Sequence, residues 1–509
     1  MTTGTKTSAA TEADRVTPFL ATPLGSAVCI AVSAICYFIA IRFIDLWPIA
    51  LFAPMPMLAA AFAAPSRARA VLCAFIPIFV GCFGLWSAES FFLSTVFFVT
   101  AYAALSLVVS GLVLIARAAA RRWSNAGAAL VFPILYAALS FVFSRTTYDG
   151  TWADPSYRMD GFLAILQLAS ITGIWGIVFA MTLPASGIAF AWYRLESGRP
   201  WRAPTAVALG IFGAVLIFGF ARLATAPHTR TVRVAMIASD HEIPYSRTTD
   251  EAKAADLLTF YAAQIPKAAA QGAQVVVLPE KIVGVTAEDQ AALQTILSGA
   301  ASSSHVWLIA GVNEIGSAPK IETVKINAAK INAAWIFSPD GAFVGEYHKH
   351  YFVTGFEAGY QSGKRIEVLD APWGKTAVAI CKDLDYPWFI RGYGAKDATV
   401  MFVPAWDWEG PNAVMHERMA TVRGVENGFA MARSAKTGFV TAHDAYGRTL
   451  ASSSTFAADP AMVVADIPLG PGTTPYSRLG DWFGWLCIIA SLVILVTVLT
   501  PRAGSSRAE

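Results

Sequence analysis

The sequence predicts a multi-pass α-helical membrane bundle of about eight spans, joined to a single α/β domain outside the cytoplasm. Three observations lead there. Hydrophobic residues make up 55% of the chain and charged residues only 14%, whereas water-soluble domains carry about 25% charged residues. Apolar runs that reach or approach the roughly 20 residues needed to cross hydrocarbon recur along the chain. Between the last two of them, short strand-like runs alternate with helical ones, the pattern of a layered α/β domain.

The apolar runs lie near 22–44, 47–64, 70–87, 91–115, 127–144, 162–192, 205–223 and 481–500. The 47–64 run is the weakest, and 162–192 is long enough to tilt or to extend past the bilayer. Basic residues fall in alternate connections. Lys6 and Arg15 precede the first span; Arg67, Arg69, Arg117, Arg121, Arg122, Arg194, Arg199 and Arg202 follow the second, fourth and sixth; Arg502 and Arg507 follow the last. The positive-inside rule then puts both termini in the cytoplasm and the long segment outside. The first span is long and has no convincing cleavage site, so it reads as a span and not as a signal peptide. The expected organisation is a tail at 1–21, seven helices within 22–224, an outside domain at 225–475, a last helix at 481–500 and a tail at 501–509. The net charge of +3 is too small to argue for nucleic acid.

Within the outside segment, VRVAMIAS (232–239), VVVLPE (275–280), HVWLIAGV (305–312), AAWIFSP (333–339), KTAVAIC (375–381) and TVMFVPA (399–405) read as strands. Helical patterns cover 250–271 and 411–429, and 432–453 reads as a hairpin turning at Asp444–Gly447. The duplicated KINAA (325–329 and 330–334) is too short for a repeat architecture and is expected to lengthen one loop.

Five of the six cysteines, Cys29, Cys36, Cys73, Cys82 and Cys487, fall in apolar spans, where a small buried hydrophobe is their expected role. Cys381 is alone in the outside domain and has no disulfide partner there. It ends a strand in AVAICKDLDYPW and is followed at once by Lys382, Asp383 and Asp385. Glu280 closes VVVLPE, Lys349 lies in GEYHKHYFVTGFE, and Glu357 follows eight residues later. A thiol nucleophile needs a base to take its proton and a cation or N–H groups to hold the oxyanion that follows attack. A carboxylate, a lysine and a cysteine at strand ends supply those types.

The order LPE, YHK and a strand-borne IC followed by an acid and DYP resembles the nitrilase, or carbon–nitrogen hydrolase, superfamily. Seven spans, such a domain outside and one further span resemble the apolipoprotein N-acyltransferases of the bacterial inner membrane, as does LQLASITGIWGIVF (166–179). The resemblance implies a four-layer αββα sandwich and a Glu280–Lys349–Cys381 triad with no metal or other cofactor. Glu280 is implied as general base. Cys381 is implied as the nucleophile that takes an acyl chain from a phospholipid. Lys349, with the backbone N–H of Lys382, is implied as oxyanion stabiliser, and Glu357 and Asp383 as supporting acids. The implied acceptor is the N-terminal amine of a diacylglyceryl-cysteine lipoprotein, and the enzyme is expected to be monomeric. Lys382 stands where these acyltransferases commonly have an aromatic. HYFVTGFEAGYQSG and the KTG at 436–438 also depart from their pattern.

Two other readings stay open: a membrane-tethered amidase or a paralogue acylating another amine, and a transporter or scaffold with an inactive domain. His348 and His350 flank Lys349, but alternate strand residues face opposite ways and no partner completes a zinc set. His416–Glu417 lacks the second histidine of a zincin helix and is expected on a packed or solvated helix face. Trp86, Trp152 and Trp482 are expected at the membrane interface.

Overall fold

The computed structural model describes residues 18–42, 46–90, 93–240, 250–316 and 330–500. Lys6, Arg15, Arg502, Arg507 and the first KINAA copy lie outside the described residues.

Among the described residues, seven helices are long and apolar enough to cross a membrane: Pro23–Arg42, Arg67–Glu89, Thr95–Arg122, Ala126–Thr146, Ile174–Glu196, Arg202–Ala224 and Trp482–Leu499. Serine N-caps open two of them, Ser66 accepting from the Arg69 N–H at 3.1 Å and Ser94 from that of Phe97 at 3.3 Å. The weak 47–64 run is a shorter apolar helix, Trp47–Ala63, made of Trp47–Phe52 and Pro54–Ala63. At 1.5 Å per residue it is roughly 26 Å long, a little short of the hydrocarbon thickness. Its second piece is buried almost throughout, so it lines the inside of the bundle, away from lipid. It still links the two ends of the bundle. Trp47 stacks on Phe162 with ring centroids 4.3 Å apart, while the Ala64 carbonyl accepts from Arg117 at 2.8 Å.

The 162–192 run is not one tilted helix. Short helical pieces cover Leu163–Leu166 and Ala169–Thr172, and Gly173 breaks the chain before Ile174–Glu196 begins. Gly173 has φ +68°, and a Cβ there would stand 2.6 Å from the Tyr476 ring. Only glycine meets both demands.

The second half is a sandwich of two sheets. The strands are β1 (Thr231–Ala238), β2 (Val275–Val277), β3 (Gly284–Thr286), β4 (Trp307–Ile315), β5 (Lys330–Phe337), β6 (Phe343–His348), β7 (Val368–Ala371), β8 (Gly374–Val378), β9 (Val400–Trp406), β10 (Ala430–Lys436), β11 (Phe439–His443), β12 (Thr449–Ser454) and β13 (Ala461–Pro468). One sheet has the order β13-β1-β2-β4-β5-β6, with β3 also on β4; the other runs β12-β11-β10-β9-β8-β7. Helices Glu251–Ala262 and Gln290–Ser304 bury Leu257, Leu258, Leu293 and Leu297 against the outer face of the first sheet. Helices Pro387–Gly394 and Pro411–Asn427 cover the second. The result is the expected αββα layering. The β11–β12 hairpin turns at Asp444–Gly447, where the Gly447 N–H donates to the Asp444 carbonyl at 3.1 Å. The second KINAA copy lies in β5 and lengthens no loop.

The helical layer over the second sheet rests on the membrane bundle, and one apolar core runs through both, from Trp175 and Ile177 to Met419 and Val422. Polar contacts pin the junction. The Ile174 N–H donates to Glu426 at 3.0 Å, Trp175 Nε1 to Asp481 at 2.9 Å, and the Thr151 N–H to the Asp385 carbonyl at 2.9 Å. Trp175 is fully buried. Trp175→Ala is therefore expected to cost about 3–5 kcal/mol, read as a lowered Tm of the detergent-solubilised protein. Trp175→Phe, which loses mainly the hydrogen bond, should cost about 1–2 kcal/mol.

Candidate active site

Three strand ends build the site. Beyond β2, the chain turns so that the Glu280 N–H donates to the Ala405 carbonyl of the facing sheet at 3.2 Å. Beyond β6, the Lys349 N–H donates to the Asn332 carbonyl of β5 at 2.9 Å, which extends the pairing by one residue. Beyond β8, the chain enters the 3-10 turn Cys381–Asp385 with Cys381 itself at φ +44°. A non-glycine residue in that region costs of order 1–3 kcal/mol and persists only where surrounding contacts impose it. Lys281 has φ +50° beside Glu280, so strained residues flank the site on both sheets.

Lys349 is the hub. Its Nζ donates to Glu280 Oε1 at 2.8 Å and to Glu357 Oε2 at 2.9 Å. It is 1% exposed, Glu280 2% and Cys381 3%, so the group is closed off from water. Burial alone would lower the Lys349 pKa, but Glu280, Glu357 and Cys381 outweigh it and hold the ammonium well above its ordinary value. Glu357 also accepts from the Val353 N–H at 2.9 Å and from the Lys281 ammonium. Burial works against its charge, yet Lys349 and Lys281 bring its pKa down to about 2. The Cys381 thiol is pushed well up, by burial first and then by Glu280, against the pull of Lys349. At rest it is a thiol, and it needs a base to react. Its Sγ lies 3.5 Å from the Trp406 carbonyl.

The other two sequence candidates stand differently. Asp383 is fully buried and fastens the Cys381 turn to the Lys349 loop. It accepts from the N–H groups of Ile380, His350 and Tyr351 at 2.9, 3.0 and 2.9 Å, and from the Tyr347 hydroxyl at 2.6 Å. Burial raises its pKa to about 6 against those bonds. The Lys382 ammonium pairs with Asp149 at 2.9 Å and Asp385 at 2.7 Å. That pairing ties the Cys381 turn to a loop of the bundle.

Sequence reasoning passed over several residues here. Asn332 of β5 donates to Glu280 at 2.5 Å and to Glu357 at 2.9 Å. Its only signal was its place in the second KINAA copy. Lys281 follows Glu280 directly and completes a balanced set of two ammonium and two carboxylate groups. Asp407, just beyond β9, and Arg433, in the middle of β10, pair at 2.8 Å, and both act electrostatically on the thiol. His416 is buried and sits 3.1 Å from Asp407 and 3.8 Å from Asp385. Trp152 packs on His416 with ring centroids 4.7 Å apart and donates to Glu89 at 3.0 Å. It bridges the two halves of the molecule.

The comparisons agree with this architecture. Residues 233–473 match the carbon–nitrogen hydrolase family, and residues 33–187 match the apolipoprotein N-acyltransferase N-terminal domain. The chain belongs to the apolipoprotein N-acyltransferase family. It is 26% identical over 423 residues to the apolipoprotein N-acyltransferase of Geobacter metallireducens, covering 77% of this chain and 79% of that one. It is 24% identical to that of Bradyrhizobium diazoefficiens, with 68% of each covered. Among solved structures, an amidase from Nesterenkonia sp. AN1 superposes with a TM-score of 0.38 at 20% identity, covering 47% of this chain and 93% of that one. The chain is an acyltransferase and a bacterial membrane protein by these relationships.

Two measurements test the electrostatics. Glu357 has a depressed pKa, so its contribution to stability is complete above the ordinary 4.5 and is lost as pH falls toward about 2. The Tm gap between wild type and Glu357→Gln should therefore be constant at neutral pH and close progressively below about 4.5. For Cys381, the rate of iodoacetamide alkylation, followed by intact mass, should still be rising beyond pH 9. A plateau below pH 8 would mean a pre-formed thiolate.

Proposed function

We propose that the chain transfers a fatty acyl group from a phospholipid to the N-terminal amine of a diacylglyceryl-cysteine lipoprotein, through a thioester on Cys381. The observation that carries this reading is the buried convergence of Glu280, Lys349 and Cys381 at the membrane-facing junction of a family member.

The residues divide the work as follows. Glu280 takes the proton from the Cys381 thiol as Sγ attacks the ester carbonyl of the lipid. The oxyanion of the tetrahedral intermediate is held by Lys349 and the backbone N–H of Lys382. Collapse breaks the ester C–O bond, and the proton held by Glu280 passes to the departing lysophospholipid alkoxide. The amine of the acceptor then attacks the thioester and loses its proton to Glu280; the C–S bond breaks as the amide forms, and Glu280 returns the proton to the departing Cys381 thiolate. Two half-reactions sharing one acyl-enzyme give ping-pong kinetics. Glu357 and Lys281 hold Lys349 in place, and Asp383 holds the two loops at a fixed distance.

The arrangement of arginines supports an extracytoplasmic site with both termini inside. Arg69, Arg117, Arg121, Arg194 and Arg122 donate to backbone carbonyls of Ala21, Ala64, Phe62, Ala120 and Val498. All of these mark the bundle end away from the sandwich, and the positive-inside rule makes that end cytoplasmic.

Intact mass spectrometry of the purified protein after incubation with phospholipid tests the first half-reaction. The expected result is an added acyl mass, removed by neutral hydroxylamine and absent in Cys381→Ala, with formation slowed about 100- to 1000-fold in Lys349→Met. Supplying a diacylglyceryl-cysteine peptide should then move the acyl group onto its amine. Release as free fatty acid instead would favour the tethered hydrolase.

A further inference from the structure

Beside the site lies a buried ammonium to which the proposed mechanism gives no task. Lys436 ends β10 and opens the KTG at 436–438, a segment that departs from the acyltransferase pattern. It is 1% exposed. An ammonium taken out of water persists only where fixed acceptors replace the water. What those acceptors belong to shows what the side chain holds together.

Two of its contacts lie on different sheets. Lys436 Nζ donates to the Lys281 carbonyl at 2.9 Å and stands 3.8 Å from the centre of the Trp406 ring. The Trp406 contact is made between neighbouring strands: β10 runs parallel to β9 with Lys436 opposite Trp406, and the Asp407 N–H donates to the Lys436 carbonyl at 2.9 Å. The electron-rich face of an indole attracts such a cation, more strongly where water is excluded. The Lys281 contact instead crosses from the second sheet to the turn after β2 in the first. Lys281 sits at φ +50°, a backbone shape that persists only where contacts impose it, and the bond on its carbonyl is one such contact.

Both gripped segments reach the triad through their backbones. Lys281 directly follows Glu280, whose N–H donates to the Ala405 carbonyl at 3.2 Å. Trp406 directly follows Ala405, and its carbonyl lies 3.5 Å from Cys381 Sγ. One ammonium thus ties the peptide after Glu280 to the residue whose carbonyl receives the thiol. Asp407, the next residue, is held in turn by Arg433 at 2.8 Å, so the end of β9 is fixed on both sides of the thiol's acceptor.

We propose that Lys436 is a positioning residue whose ammonium clamps the Glu280 turn against the end of β9 and so sets the separation of the Glu280 carboxylate and the Cys381 thiol. This rests on the reading of Glu280 as base and Cys381 as nucleophile, and it deepens that reading by naming what keeps the two in register. Lys436 acts through the Lys281 carbonyl and the Trp406 ring. Proton transfer and attack lose rate steeply when the reacting groups are misplaced. Loss of the clamp therefore slows the chemical step and leaves lipid binding as it was.

The test compares wild type, Lys436→Met and Lys436→Arg, all as the full detergent-solubilised chain. Methionine keeps an apolar stem on the indole and removes the charge. Arginine keeps a cation that can stack on the indole and donate to a carbonyl. Thioester formation on Cys381 is followed by intact mass over a range of phosphatidylglycerol concentrations. The expected result is that Lys436→Met lowers the saturating rate about tenfold or more, with the half-saturating lipid concentration unchanged, and that Lys436→Arg recovers most of the loss. An unchanged saturating rate in Lys436→Met, a loss confined to the half-saturating concentration, or an arginine variant as slow as the methionine one would overturn the proposal. Should Lys436→Met fail to fold, Lys436→Gln takes its place under the same criteria. If wild type forms no thioester with any lipid, the acyltransfer reading fails on its own. The clamp is then judged by iodoacetamide alkylation of Cys381 at neutral pH. Slower alkylation in Lys436→Met with recovery in Lys436→Arg would uphold it, and any other order would remove it.

Discussion

The site depends on one buried ammonium shared by two carboxylates. Lys349 has no water to solvate it, so its charge persists only because Glu280 and Glu357 stand at 2.8 and 2.9 Å. Each carboxylate is in turn charged and buried, and each needs its own donors. Asn332 serves both, and Lys281 serves Glu357. These requirements fix four chain segments relative to one another: the turns after β2 and β6, the middle of β5 and the 353–357 loop. Cys381 is then placed against a network already committed to its geometry. In the proposed mechanism this lets a thiol with a strongly raised pKa react: the proposed base and cation are preorganised, so little has to move when charge develops on the substrate.

The same logic joins the two halves of the molecule. Lys382 and Asp385, on the nucleophile's own turn, take their partners from the bundle loop at Asp149 and Thr151. Glu426 takes the Ile174 N–H at the start of a membrane helix. Glu426 is fully buried there, and burial raises its pKa to about 7 although Arg423 opposes it. A catalytic domain attached only by flexible linkers would leave the height of its nucleophile above the membrane undefined. Here the apolar core runs unbroken from Trp175 into the helix Pro411–Asn427, and the thiol is held at one place relative to the lipid.

What could be read from the sequence divides along a physical line. Continuous apolar runs and strand-length alternation are local signals, so the bundle, most strands and the β11–β12 turn were legible. Glu280, Lys349 and Cys381 were legible because short motifs of known order surround them. Their supporting cast was not. Asn332, Asp407 and Arg433 matter through contacts across strands and between sheets, and nothing in their neighbours along the chain marks them. The break at Gly173 was hidden for a related reason: hydropathy does not register a single residue at positive φ. Lys382 was visible as a departure, but its direction was not. Asp149 and Asp385, which its ammonium pairs with, set that direction.

Arg158 shows the limit of that approach most clearly. In the sequence it is one of two basic residues in a connection between spans, and a connection is where a solvated arginine belongs. The fold turns this segment inward, so that Tyr157 binds the catalytic junction while Arg158 enters the bundle.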